Sequence, residues 1–388
     1  PMFLADPLAD DPRFDESHQQ FRDVCRAFAE DHIAPYAVAW EEAGSFPRSL
    51  YEQAAEAGIL APAFPESLGG GGGDTLHTVV AGEALQRGGS TGTVVGLTGS
   101  LSIALPPILH LGTEEQRERF VRPVLAGTHI AALAITEPGT GSDVAGITTR
   151  ARRDGDRYVL SGSKTFITSG ARADVVTVLA RTGDDPHGGL TFFVVERGME
   201  GFHCGEPLKK TGWWASDTAE LFFDDVSVPI ENRIAAEGSG FVALMQNFEN
   251  ERLMLAVNGL ALATVALEEA VAYAQERKAF GRPIAKHQVI RHKLATMATD
   301  VASCRALTYD VADRMRRGLP IMDRVAMAKN HASDVAQRVC YEAVQVFGGM
   351  GYMRETLVER LARDARLLPI GGGTDEIMDE IIGRHLGI

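Results

Sequence analysis

The stretch Ala134-Ile-Thr-Glu-Pro-Gly-Thr-Gly-Ser-Asp143 divides the chain. Before it, apolar residues recur at helical spacing and close in the apolar run 130–133. After it, the segments shorten and become β-rich. By composition it is a polar surface turn. The same residues also suit a binding wall. Gly139 and Gly141 permit main-chain angles that other residues avoid, so backbone can approach a flat or anionic group. Thr136 and Ser142 each offer a hydroxyl donor.

Upstream, residues 15–130 read as helices. Asp15 or Ser17 can cap a helix whose inner face is Phe21, Val24, Cys25 and Phe28, ending near Pro35. Further helices fit 47–57 and 75–87, with the glycine run 69–73 between them read as a flexible loop tip. Thr113-Glu-Glu-Gln116 is a capping box. Downstream, strands fit 157–161, 164–168, 175–180, 190–196 and 219–223, separated by glycine-rich turns. From Gly240 the helical period returns, with helices over 240–277, 286–317, 321–347 and 374–386. The expected fold is α+β and multidomain: an N-terminal all-α domain (1–130), a central β-barrel-like domain (131–238) and a C-terminal four-helix bundle (239–388).

The 388 residues carry a net charge of −14, which argues against nucleic acid and anionic membrane as main partners. No apolar run reaches the roughly 20 residues that span a bilayer. Cys25, Cys204, Cys304 and Cys340 are scattered, as in a reducing compartment. No metal site is expected. The acidic N-terminal stretch is unlike a signal or transit peptide, so the expectation is a cytoplasmic protein, with a mature mitochondrial matrix protein the other option.

Three further constellations could carry chemistry. In 164–168, Phe166 and Thr168 share one face by strand alternation and would suit a flat heteroaromatic ring; the plain alternative is a core Phe. Arg277 and its neighbours, closing the long helix, can pair oxygens of a pyrophosphate or simply answer the helix dipole. Gln345-Val-Phe-Gly-Gly-Met-Gly-Tyr352 is a glycine-rich helix end.

Taken together, Ile135-Thr-Glu-Pro-Gly-Thr-Gly-Ser-Asp143, Lys164-Thr-Phe-Ile-Thr168, Glu276-Arg-Lys-Ala-Phe-Gly281, Gln345-Val-Phe-Gly-Gly349 and Gly373-Thr-Asp-Glu-Ile377 resemble the acyl-CoA dehydrogenases over essentially the whole length. The resemblance implies a flavoprotein that binds FAD and oxidises an acyl-CoA to the trans-2-enoyl-CoA. It also implies a homotetramer (a dimer of dimers) that passes electrons to an electron-transfer flavoprotein. By position, Leu133, Ile135, Thr136, Gly141 and Ser142 would line the flavin and the thioester end of the substrate. Phe166, Ile167 and Thr168 would cover the isoalloxazine, with Phe166 where the family usually has Trp and Ser169 where Asn is frequent. Arg277, Phe280 and Gln288 would hold the FAD of a neighbouring subunit. Gln345 and Gly349 would lie at the adenine, and Thr374 and Glu376 in a flavin-contacting turn.

The reaction needs a carboxylate to take the α-proton. Many family members carry a Glu just before the Gly-Thr of the last motif, where this chain has Gly372. The long-chain and isovaleryl-CoA branches place it instead on the long helix, directly before an Arg, and Glu251 matches that placement. Without the resemblance, Glu251-Arg252 would read as a solvated pair. Glu249 lies about 200° around the helix and should not replace it. Ser142, Glu249, Arg252, Gly372 and Gly373 are expected beside the substrate, and the bare Gly371-Gly372-Gly373 wall is expected to leave room for a long, branched or bulky acyl chain. Glu137 is not assigned as base, because its charge would repel reduced flavin. Two other readings stay open: a flavin oxidase or monooxygenase on this scaffold, and a non-catalytic subunit of a hetero-oligomer.

Overall fold

The protein, here a computed structural model, is described at Leu8 and over residues 11–388. Most of the acidic N-terminal stretch invoked above lies outside the described residues. The first helix, α1 (Glu16–Phe28), is capped by Asp15, whose carboxylate accepts from the Ser17 and His18 amides. Its inner face is narrower than expected, because Val24 is 45% exposed. Helices α2 (Ala37–Ala43), α3 (Ser49–Glu56) and α4 (Thr75–Leu85) follow. A near-continuous helix α5 (Thr91–Leu111) was not legible in the pattern, and α6 (114–125) opens on the expected Thr113 capping box.

The glycine run 69–73 is not a loose tip. The amides of Gly71, Gly72 and Gly73 donate to the carbonyls of Ala61, Phe64 and Pro62. A Cβ at Gly70 would lie 2.3 Å from the Phe64 carbonyl oxygen, and one at Gly73 2.8 Å from the His77 ring. These glycines are held flat against the 61–65 turn, where no side chain fits.

The central sheet has eight strands: β1 (Ala131–Ala134), β2 (Arg150–Asp154), β3 (Arg157–Thr168), β4 (Val175–Arg181), β5 (Leu190–Glu196), β6 (Phe202–Cys204), β7 (Thr218–Pro229) and β8 (Arg233–Ile234). Their order is β6-β7-β3-β2-β4-β5-β8, with β1 parallel to β4 in register Ala131↔Val175. The two strands expected in 157–168 are one, bent by register shifts between Leu160 and Gly162 and between Lys164 and Ile167.

The C-terminal part is α7 (Gly240–Glu276), a short hairpin (Lys278–Ala279 with Arg282–Pro283), α8 (Gln288–Arg316), α9 (Met322–Phe347), α10 (Leu357–Ala365) and α11 (Asp375–Leu386). Helices α5 and α7 are each long and apolar enough to cross a membrane by length and composition, contrary to the expectation from the sequence. Both bury most of that surface inside the protein instead, 56% and 72% of their most apolar windows.

Helix α7 links two cores. Ala243 and Leu244 pack with the N-terminal helices and β4–β5, whereas Leu253 to Ala274 pack within the bundle. The polar quartet Glu249-Asn250-Glu251-Arg252 falls at the crossing. Cys25, Cys304 and Cys340 are buried free thiols, and Cys204 is exposed.

Candidate active site

The wall expected from 133–143 forms at the end of β1. Leu133 and Ile135 are buried. Buried Lys164 donates to the Ile135 carbonyl (2.8 Å) and to Glu137 (2.9 Å), and the Thr165 amide donates to the Thr136 carbonyl (2.9 Å). Glu137 also accepts from the Thr148 and Thr149 amides and the Thr148 hydroxyl, at 2.7–2.9 Å. Burial alone would raise its pKa; Lys164 and these hydrogen bonds overrule that and hold it near 2. Glu137 is therefore the staple of the loop, with every lone pair engaged, and is unavailable as a base. Gly139 and Gly141 have ordinary φ values, contrary to expectation. A Cβ on either would meet no atom within 4 Å. The protein's own packing does not require glycine there. Ser142 is exposed and Thr136 half-buried.

Phe166 stands out from β3, 68% exposed at φ +59°, a strained angle for a side chain of this size. Thr168, at the end of the strand, is half-buried. Ile167 points into the β core at 3% exposure, so it can meet a ligand on the outer face only through its backbone. Ser169 also has a positive φ (+61°). It is held by its amide bonding to the Asp217 carbonyl and by a 2.7 Å hydroxyl pair with Ser100.

The structure brings together the two places where a base could stand. An ideal Cβ on Gly372 would lie 3.7 Å from both Cγ and Oε1 of Glu251. It would also lie 2.3 Å from Leu255 Cδ1, and Gly372 itself has φ +65°. The expected free room at this wall is therefore absent: α7 fills it with Leu255 and Glu251. A Cβ on Gly373 would meet Met378 at 2.8 Å. Burial pushes the Glu251 carboxyl up to about 7, partly opposed by Arg252. Glu249 is also raised by burial. Arg252 is 6% exposed, stacks 5.4 Å from the Phe248 ring, and its Nε finds no acceptor among the described residues.

Thr374 caps α11 through a bond from the Ile377 amide, and Glu376 is exposed in the first turn. Buried Lys329 pins this turn through Asp375 (2.8 Å). Arg277, Phe280, Gln288, Gln345 and Gly349 are exposed, Phe280 at 95%, and none hydrogen-bonds to the wall at 133–168 among the described residues. A separate cluster, His18, Asp74 and His77, brings three possible metal-ligand atoms within 4.8 Å. Its contacts there are those of two helix caps, joined by His18 to Asp74 (3.2 Å), with Arg316 also paired to Asp74.

An exposed aromatic on a strained strand, two glycines free of packing demands and a capped helix N-terminus fit a flavin nucleotide. A buried carboxyl at Gly372, two residues before that helix N-terminus, fits proton abstraction. The combination defines a flavoenzyme that removes hydrogen from a carbon acid. The chain belongs to the acyl-CoA dehydrogenase family and is an FAD-dependent oxidoreductase of that family. The N-terminal, middle and C-terminal acyl-CoA dehydrogenase domain models match residues 15–128, 132–226 and 238–387. It is 40% identical to the mitochondrial long-chain specific acyl-CoA dehydrogenase of Rattus norvegicus, over 96% of this chain and 87% of that protein. It is 39% identical to the mitochondrial short-chain specific enzyme of Bos taurus, over 96% and 90%. In fold it is similar to a probable acyl-CoA dehydrogenase of Mycobacterium abscessus (TM-score 0.95, 47% identity, 97% of this chain and 100% of that chain). It is also similar to a chain of the structure described as the electron transferring flavoprotein of Acidaminococcus fermentans (TM-score 0.93, 38% identity, 97% and 99%).

Proposed function

We propose that this chain oxidises a long or branched acyl-CoA to its trans-2-enoyl-CoA, with Glu251 as general base. The observation behind this is the convergence of Glu251 and Gly372 on one space. A carboxylate from α7 reaches where a residue at 372 would, and Leu255 bars that residue. A carboxyl near pKa 7 accepts a proton at neutral pH better than an ordinary one, which is the match general-base catalysis needs.

FAD, when bound, supplies the two-electron acceptor for the β-hydrogen. Phe166 offers a ring face, and Thr136, Ser142 and Thr168 offer donors around it. Thr374 and Glu376 sit at the α11 N-terminus, whose dipole favours an anionic group. Gln345, Gly349, Arg277, Phe280 and Gln288 are accessible to a cofactor shared across a subunit boundary. The nearly complete exposure of Phe280 supports the homotetramer. An electron-transfer flavoprotein is the proposed acceptor, supported by the fold similarity to the Acidaminococcus chain.

The long-chain reading draws support from a narrow cavity beside α7, lined by residues 59–64, Thr78, Ala81, Gly82, Thr98, Ser102 and Met254. Met254 lies three residues beyond Glu251, about 60° around α7 and about 4.5 Å along it. An acyl tail leaving Glu251 along α7 passes Met254 into this apolar space, over the turn that the glycine run supports.

Anaerobic titration with a panel of acyl-CoAs, following the oxidised flavin band, tests the reading. Long or branched thioesters should bleach it readily. Much faster bleaching by butyryl- or hexanoyl-CoA overturns the substrate class, and no bleaching by any thioester overturns the activity.

A further inference from the structure

In an α-helix the amide of residue i bonds to the carbonyl of i−4. Helix α5 contains Pro106 and Pro107, which have no N–H. The carbonyls of Ser102 and Ile103 therefore have no helical donor. Both are taken by one neighbouring helix. Asn250 Nδ2 donates to the Ser102 carbonyl (3.0 Å), and Asn247 Nδ2 donates to that of Ile103 (2.7 Å). From the β domain, the Thr177 hydroxyl donates to the next carbonyl, Ala104 (2.8 Å). Three consecutive carbonyls thus gather side chains from both other parts of the chain.

Asn247 and Asn250 are three residues apart and share a face of α7. Glu251 follows Asn250 directly. This is also where α7 leaves one core and has not yet entered the other, so apolar packing does little to fix its rotation. Asn247 is 4% exposed, and its Oδ1 finds no donor among the described residues. An orphaned buried oxygen is unfavourable, which marks the bond its amide makes as the reason for the residue.

We propose that the two proline-freed carbonyls and the two asparagines form a latch that sets the rotation and height of α7 at Glu251. Asn250 and Asn247 are then positioning residues for the base. The inference rests on Glu251 being that base.

The test uses the full-length, FAD-loaded protein and the acyl-CoA that reduces it fastest. Asn250→Ala should keep its flavin and substrate affinity but bleach roughly tenfold to a hundredfold more slowly, since small misplacements of a reacting group cost that much. The pH midpoint of its bleaching rate should fall as water reaches the loosened segment. Pro106→Ala restores an N–H for the Ser102 carbonyl. In the double variant Pro106→Ala/Asn250→Ala, thermal stability should return while the rate stays low. Pro106→Ala alone, which diverts the carbonyl from Asn250 without orphaning it, should also slow bleaching and serves if Asn250→Ala does not fold.

A wild-type rate and pH profile in these variants overturns the latch. So does a double variant whose rate recovers together with its stability, which would mark Asn250 as merely structural. Glu251→Gln run in parallel separates the two claims. If it bleaches like wild type, the base assignment falls and takes the latch with it. If it is inert while Asn250→Ala is unaffected, the latch alone falls.

Discussion

Replacing Gly372 with alanine isolates the reason the base cannot stand at that position. The new Cβ would lie 2.3 Å from Leu255 Cδ1, about 1.2 Å inside normal carbon–carbon contact. Overpacking of this kind costs about 1–3 kcal/mol. The backbone at φ +65° adds about 1–2 kcal/mol for any residue with a Cβ. The expected loss is therefore about 2–5 kcal/mol, read from the shift of the urea midpoint at constant slope. Leu255→Ala alone should cost about 2–5 kcal/mol, since Leu255 is only 9% exposed. In the double variant the clash disappears, so the combined loss should fall about 1–3 kcal/mol short of the sum. Losses that add to within about 0.5 kcal/mol would refute the steric argument.

Flavin reduction should rise with pH about a midpoint near 7, because the Glu251 carboxyl must be ionised to accept the α-proton; rapid-mixing traces from pH 5.5 to 8.5 give the profile. The same raised pKa means the folded state holds that proton more tightly than the unfolded chain does. Stability is thus lost as pH climbs from about 4.5 through 7, and Glu251→Gln should melt above wild type at pH 8. Glu137→Gln should melt lower, with about 3 kcal/mol from the carboxyl held near 2 and more from the buried Lys164 left unpaired, and the first part of the gap should close as pH falls from about 4.5 towards 2. Met254→Trp should cut activity on long thioesters and spare short ones, measured as kcat/KM along a chain-length series.

The three-part order was legible because hydrophobic periodicity switches from helical to alternating and back, and because the Asp15 and Thr113 caps announce themselves. Helix α5 was missed because it is apolar all round and carries two prolines, which read as a break. The strand ending at Thr168 looked like two, since Gly162 and Ser163 interrupt its pattern where the first register shift falls. The glycine run looked flexible because composition does not show that backbone already fills the space a side chain would take.

At the site, Glu251 was found through its resemblance to a family branch, and the physical reason for Gly372 lay in Leu255, on another element. Glu137 was set aside on grounds of charge, whereas the structure gives a different and firmer reason: Lys164, Thr148 and Thr149 consume its lone pairs. The asparagines of the latch carried one signal, a Pro-Pro pair inside a helix. The partner of each freed carbonyl is set only by the fold.

The location of the base is tested most directly by anaerobic mixing of FAD-loaded Glu251→Gln with the best acyl-CoA substrate. The account predicts a yellow protein that binds the thioester and does not bleach. Bleaching at the wild-type rate would contradict it.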